Sequence, residues 1–162
     1  MLMCCNCMGG YTFNYTYEEL SNDLISISIA YDDSPGGKIG EAVVYMETIY
    51  TVDSEEIDDI IKVLSDVEFQ CYTNGVVSSS NAIKYYRYGI MLSYPDKKIV
   101  FEEYKIYILD KNNVVQGPLG EKFHRLFVSA QDERYKALLY KYLSDERVVK
   151  PSETAPSSDF AA

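Results

Sequence analysis

The sequence predicts an α+β fold, a single domain with an antiparallel sheet of about five or six strands and two helices packed on one face. Three observations carry this. The chain has 162 residues, 47 % hydrophobic and 25 % charged, a size and composition that bury one core without a metal or disulfide staple. Its aromatics are 16 Tyr and 6 Phe with no Trp, and tyrosine suits a half-buried pleated surface. Alternating runs follow one another directly, with few helical stretches between them, which favours hairpins over βαβ crossovers.

Taken in order, LISISIAY alternates Ile25, Ile27 and Ile29 with Ser26, Ser28 and Ala30, the pattern of a strand with one dry face. DDSPGG breaks it as a loop, and IGEAVVYMETIYTV resumes β character in Val, Ile, Tyr and Thr. The period then changes. Asp53 stands where a helix N-cap belongs, with Glu56 three residues on completing a capping-box arrangement. Ile57, Ile60, Ile61, Leu64 and Val67 fall on one helical face, and the acids Glu55, Glu56, Asp58 and Asp59 complement the macrodipole at its start.

FQCYT is a short strand, Asn74-Gly75 a turn, and SSSN a polar loop. AIKYYRYGIMLSY and KIVFEEYKIYIL are two long β runs flanking Pro95-Asp96-Lys97, the pattern of an antiparallel hairpin. Asp110 to Asn113 turns the chain into VVQG, and HRLFVS is a last strand. Ser129 caps a second helix, whose Tyr135, Leu138, Leu139 and Tyr142 share one face. The expected order is β-β-α-β-β-β-β-α. The expected organisation is an N-terminal segment over 1–10, a globular domain over 11–147 and a disordered tail over 148–162, rich in Pro, Ser and Ala.

Charge excludes some partners. The formal net charge is −10, which repels phosphate backbones and anionic lipid headgroups, so nucleic acid is not an expected partner. No stretch reaches the roughly 20 apolar residues of a membrane span.

The residues that most invite a chemical reading have plainer ones. His124, in GEKFHRLF, has no carboxylate or nucleophile in a recognisable pairing. Cys4, Cys5 and Cys7, with Cys71 or His124, lack the paired C-x(2–4)-C spacing of structural zinc. The acids from Asp53 to Asp59 lack the alternating calcium loop and its distal glutamate. Glu102 and Glu103 are neighbours on a strand, so they point to opposite faces and form no dyad. No nucleophile elbow, P-loop, dinucleotide fingerprint or H-E-x-x-H occurs. The expectation is a protein without catalytic residues, cofactor or metal.

KYYRYG, from Lys84 to Gly89, interleaves base and aromatic. Its Tyr85, Tyr86 and Tyr88 are candidates for a partner-binding patch, since exposed aromatic surface marks interaction sites.

YTFNYTYEELSNDLISISIAYDD, the DSEEIDDI helix, the GIMLSYPDKKIVF hairpin and the FVSAQDERYKALLYKYL helix together resemble small uncharacterised lipoproteins of Firmicutes. In those, an acylated N-terminal cysteine precedes a tyrosine-rich lead. The resemblance covers about residues 11 to 143 as element order and apolar spacing. It implies a surface-exposed, lipid-tethered α+β module and no known activity. Its acylation site falls on Cys5, which has aliphatic Leu2 three positions before it, with Cys4 and Cys7 as further candidates. Met3 and Cys4 stand where that family has small residues, and the charged and apolar regions of a signal peptide are missing upstream. The expectation is that Met1-Leu2-Met3 ends such an apolar region. The expected function is a non-catalytic extracytoplasmic binding or structural module with a protein or cell-wall partner, touching the membrane only through its lipid. The alternative is a small acidic cytoplasmic interaction domain of the immunity-inhibitor type.

Overall fold

The structure, a computed structural model, describes residues 4–5, 10–33, 43–72, 87–103, 105–116, 126–128 and 133–151. Within them the chain forms β1 (Cys4–Cys5), β2 (Gly10–Phe13), α1 (Tyr17–Ser21), β3 (Ser26–Asp32) and β4 (Met46–Thr51). There follow α2 (Ser54–Asp66), β5 (Phe69–Tyr72), β6 (Tyr88–Ser93), β7 (Lys97–Glu102) and β8 (Lys105–Asp110). The last elements are β9 (Val115–Gln116), β10 (Leu126–Val128) and α3 (Glu133–Leu143). The α+β class holds.

All strand pairs are antiparallel, in the order β1-β2-β5-β10-β8-β7-β6-β3-β4, with β9 added to β8. The strands of six or seven residues, β8, β7, β6, β3 and β4, are consecutive in that order and form the sheet's body. Strands of two to four residues extend it on the β10 side.

The helix-side face is built from two apolar rows. Ile27, Leu92, Ile99 and Ile108 stand opposite one another across β3, β6, β7 and β8, and Ile29, Ile90, Phe101 and Ile106 form the next row. Cross-strand β-branched and aromatic neighbours of this kind stabilise the ladder by roughly 0.2–1 kcal/mol per pair. Against these rows pack Leu20 of α1, Ile60, Ile61 and Leu64 of α2, and Tyr135, Leu139 and Tyr142 of α3. The apolar face read from α2 is the buried one, with Val67 buried too and Ile57 packed at its margin.

Helices α2 and α3 run antiparallel and are clamped at both ends. Arg134 pairs with Asp66 at one end, and Lys141 Nζ lies 3.8 Å from Glu56 Oε1 at the other. Helix α1 is tied to α2 by Tyr17, whose hydroxyl donates to Asp58.

Several expectations are corrected. The dry face does not include Ile25, which precedes β3 and is 65 % exposed. Instead β3 is covered on both sides, because a second buried cluster of Ala30, Val44, Met91, Val100, Tyr107, Leu109 and Val115 occupies the opposite face. KIVFEEYKIYIL is not one strand: it folds back after Glu102, so β6, β7 and β8 make a meander.

The capping box lies at α1, where Thr16 Oγ1 accepts from the Glu19 amide and Glu19 returns the bond to Thr16 N–H. At α2 the N-cap Asp53 makes no side-chain cap bond, since its carboxylate faces Arg147 instead. The first residues of the expected tail belong to the folded domain. Val148 is buried in the main cluster and Lys150 Nζ donates to the Leu143 carbonyl at 3.0 Å, while 152–162 lies outside the described residues. Within the segment 1–10, Cys4, Cys5 and Gly10 pair into the sheet. Asn74-Gly75, SSSN, Ser129 and His124 lie outside the described residues.

Candidate functional site

A cluster of charged and tyrosine side chains forms where β4, α2 and α3 meet. Its first member is Tyr50, delivered by a β-bulge. The β3–β4 register shifts between Ile29 and Ala30, so Ile29 faces Tyr50 and Ala30 faces Thr48. Ile49 is the extra residue, and both Ile49 and Tyr50 pack on the helix-side core. A regular strand would send one of two neighbours to the far face.

The start of α2 brings Asp53 and Glu56, and the end of α3 brings Lys141 and Tyr142. The chain leaving α3 turns at Asp145, whose Oδ1 accepts from the Arg147 amide at 2.9 Å, and this returns Arg147 across β4. The Tyr50 and Tyr142 rings lie 6.3 Å apart with 33° between their planes. The Arg147 guanidinium sits 5.3 Å from the Tyr50 centroid, and Lys141 Nζ sits 5.3 Å from that of Tyr142. Both distances are those of cation–π contacts. Arg147 also grips Asp145 through Nε at 3.2 Å and Nη2 at 2.8 Å, and Nη1 lies 3.5 Å from Asp53.

Electrostatics follow from these contacts. Hydrogen bonds from Arg147 hold the Asp145 carboxyl down at about 2. Burial raises the Tyr142 hydroxyl above its ordinary range, and the Glu56 carboxylate beside it adds to this. The Tyr50 hydroxyl is raised by burial as well, with Arg147 opposing and Asp53, Glu56 and Asp145 reinforcing. Two buried atoms of the cluster, Tyr50 Oη and Glu56 Oε2, have no hydrogen-bond partner among the described residues. Three carboxylates around two tyrosine faces hold the cations of Lys141 and Arg147.

The residues singled out from sequence are placed as follows. Cys4 and Cys5 form β1 at one end of the strand order, Cys4 opposite Thr12 and Cys5 opposite Tyr11. Cys7, Tyr85 and Tyr86 lie outside the described residues. Tyr88 does not serve an exposed patch. It is 1 % exposed, opposite Tyr31 on the helix-side face with ring centroids 5.1 Å apart. The tyrosine beside Arg87 is buried because β6 is central in the sheet.

Glu102 and Glu103 do not share a strand as the alternation assumed: β7 ends at Glu102, and Glu103 stands in the bend before β8. Glu102 Oε1 accepts from Tyr107 at 2.7 Å, and the buried Glu103 accepts from Tyr140 of α3. No group of three or more metal-ligating side chains occurs among the described residues.

Sequence reading missed the Tyr50–Arg147 cluster. Its only trace is a repeated spacing, a tyrosine three residues before an aspartate in both YTVD and YLSD, and nothing in that spacing says the two meet.

Fold and cluster together define an α+β domain with a tyrosine- and acid-lined cation site beside an outer strand. No protein-family model, curated protein or solved structure matches the chain.

Proposed function

We propose that the protein is a non-catalytic extracytoplasmic binding module, lipid-anchored through an N-terminal cysteine, Cys5 first and Cys4 or Cys7 next, which engages a protein partner. One observation carries this reading: the cysteine strand and the cation-binding cluster belong to opposite ends of the sheet. β1 opens the strand order and β4 closes it. Eight strand steps of ~4.8 Å separate them, roughly 38 Å along the sheet. A tether at Cys5 would thus attach at the opposite end of the strand order from the cluster beside Tyr50. Glu102 and Glu103, the neighbouring carboxylates of the sequence, accept hydrogen bonds from Tyr107 and Tyr140, which fits binding better than catalysis.

The test is metabolic labelling with an alkyne palmitate in cells expressing the protein from its native locus. Label should enter the wild-type chain and be lost in C5A, with membrane sedimentation lost alongside. Absence of label at Cys4, Cys5 and Cys7 sinks the anchor.

A second reading, an acidic cytoplasmic inhibitor of a basic protein, is favoured by the exposed acids Glu18, Glu19, Glu55 and Asp59 on α1 and α2. It predicts an unlabelled, non-sedimenting chain.

A further inference from the structure

The cluster of Tyr50, Asp53, Glu56, Tyr142 and Asp145 already holds a ligand: the chain's own Arg147. We infer that this cage is a recognition site for an arginine side chain from an extended basic segment of a protein partner, and that Arg147 is its resident surrogate. The inference rests on the binding-module reading only in taking the partner to be a protein.

The occupant defines the chemistry. Arg147 is bound as a guanidinium is bound in recognition sites. One carboxylate, Asp145, meets its Nε and Nη2 edge in a fork, and a second, Asp53, approaches Nη1 at 3.5 Å. An aromatic face, Tyr50, lies beneath at 5.3 Å. A planar donor fork that also stacks on a ring is a property of arginine and not of lysine.

The cage is not filled by its resident. The guanidinium carries five N–H donors, yet Tyr50 Oη and Glu56 Oε2 remain buried without a partner among the described residues. Buried polar atoms of this kind ordinarily meet a donor, an acceptor or a water, so the inner part of the cage has capacity that Arg147 does not use.

Displacing the resident is a side-chain event. The Arg147 side chain is 54 % exposed, and exposed ion pairs are weakly held. The backbone around it is fastened independently, by Val148 in the core and by Lys150 on the Leu143 carbonyl at 3.0 Å. The guanidinium can therefore swing into solvent while 145–150 stays seated. The net charge of −10 draws a basic segment toward the protein, in keeping with steering by a strong single-sign field.

The experiment titrates the full chain, 13C-labelled in its tyrosine rings, with an acetylated and amidated tri-arginine peptide, and with the tri-lysine peptide as comparison. R147A should bind tri-arginine about tenfold tighter than wild type, as expected when a competitor holds the site about nine-tenths of the time. The shifts should centre on the Tyr50 and Tyr142 rings, and D53N/E56Q in the R147A background should abolish them. Should R147A not fold, R147Q, which removes the guanidinium but keeps part of the stem, carries the same comparison. Equal affinity of wild type and variant overturns the surrogate role. Shifts confined to the Tyr17 ring, which sits beside Asp58 among the exposed acids of α2, or equal binding of tri-lysine, overturn the arginine site. Palmitate labelling at Cys5 is untouched by either result, so failure of the cage and failure of the anchored-module reading remain distinguishable.

Discussion

Tyr140 Oη donates to Oε1 of Glu103, a carboxylate only 2 % exposed at the bend between β7 and β8. One residue earlier, the Glu102 carbonyl accepts from the Tyr135 hydroxyl. Two tyrosines of α3, a turn and a half apart, thus hold the helix to consecutive residues of the sheet. Removing one hydroxyl takes a donor from a buried carboxylate, and hydrogen bonds to charged groups contribute about 1.5–3 kcal/mol. Y140F should lower the unfolding free energy by that amount in urea, with an unchanged denaturant slope. A change below about 0.5 kcal/mol, the range of neutral surface substitutions, would show that Glu103 does not depend on this tyrosine.

Gly89 answers a steric demand of the opposite face. A Cβ added there would stand 3.1 Å from the Phe101 carbonyl oxygen, 3.1 Å from Val100 Cγ1 and 3.2 Å from Glu102 Cγ. The carbonyl belongs to the paired strand β7 and cannot yield without distorting the ladder that aligns Gly89 with Glu102. Overpacking of this kind costs about 1–3 kcal/mol. G89A should destabilise by that much, visible as a lower urea midpoint, even though alanine is the better strand residue elsewhere. An unchanged midpoint would mean that β6 and β7 separate freely.

What was legible in the sequence divides along physical lines. The faces of α2 and α3 were readable because a run such as Ile57, Ile60, Ile61 and Leu64 repeats at the period of the helix itself, and burial follows from it. Helix α1 was not readable by period, since Tyr17–Ser21 is five residues long; only Thr16-x-x-Glu19 announces it. Alternation identifies β3 but not where it starts: the period includes Ile25, whereas the dry face begins at Ile27. Nor does alternation say which face is dry when both are covered, and this is why Tyr88 reads as a surface residue and is buried. The cage lay beyond reach for a different reason. Tyr50 and Arg147 are far apart in the chain, and the bulge that aims Tyr50 is a feature of strand pairing, not of local composition.

Buried tyrosines give the fold an alkaline limit. Burial raises the hydroxyls of Tyr94, Tyr135 and Tyr142 above the usual value near 10. The folded state then keeps protons that the unfolded chain gives up, so their contribution to stability is full below about pH 10 and is lost as the pH rises past it. In a phenolate absorbance titration these tyrosines should lag behind the others and ionise together with the loss of tertiary structure. Smooth reversible titration of all 16 tyrosines with the fold intact would contradict their burial.

Tyr50 separates the two parts of its own side chain. The ring packs on the core and carries the Arg147 guanidinium at 5.3 Å, whereas Oη is buried without a partner among the described residues. A buried hydroxyl lacking a bond is a desolvation cost with no return, and its removal is neutral or favourable by up to about 1 kcal/mol. Y50F should therefore match or exceed the wild-type melting temperature. Y50L keeps an apolar side chain but loses the π-face, forfeiting a cation–π contact of roughly 0.5–1 kcal/mol together with ring packing, so it should melt lower than both. The pair of variants also bears on the cage: in the R147A background Y50L should lose arginine-peptide binding, while Y50F should keep the stacking contribution and lose only what Oη adds. A Y50F protein destabilised by more than about 1 kcal/mol, the usual net worth of a made hydrogen bond, would mean that the hydroxyl is already satisfied and the inner cage already full.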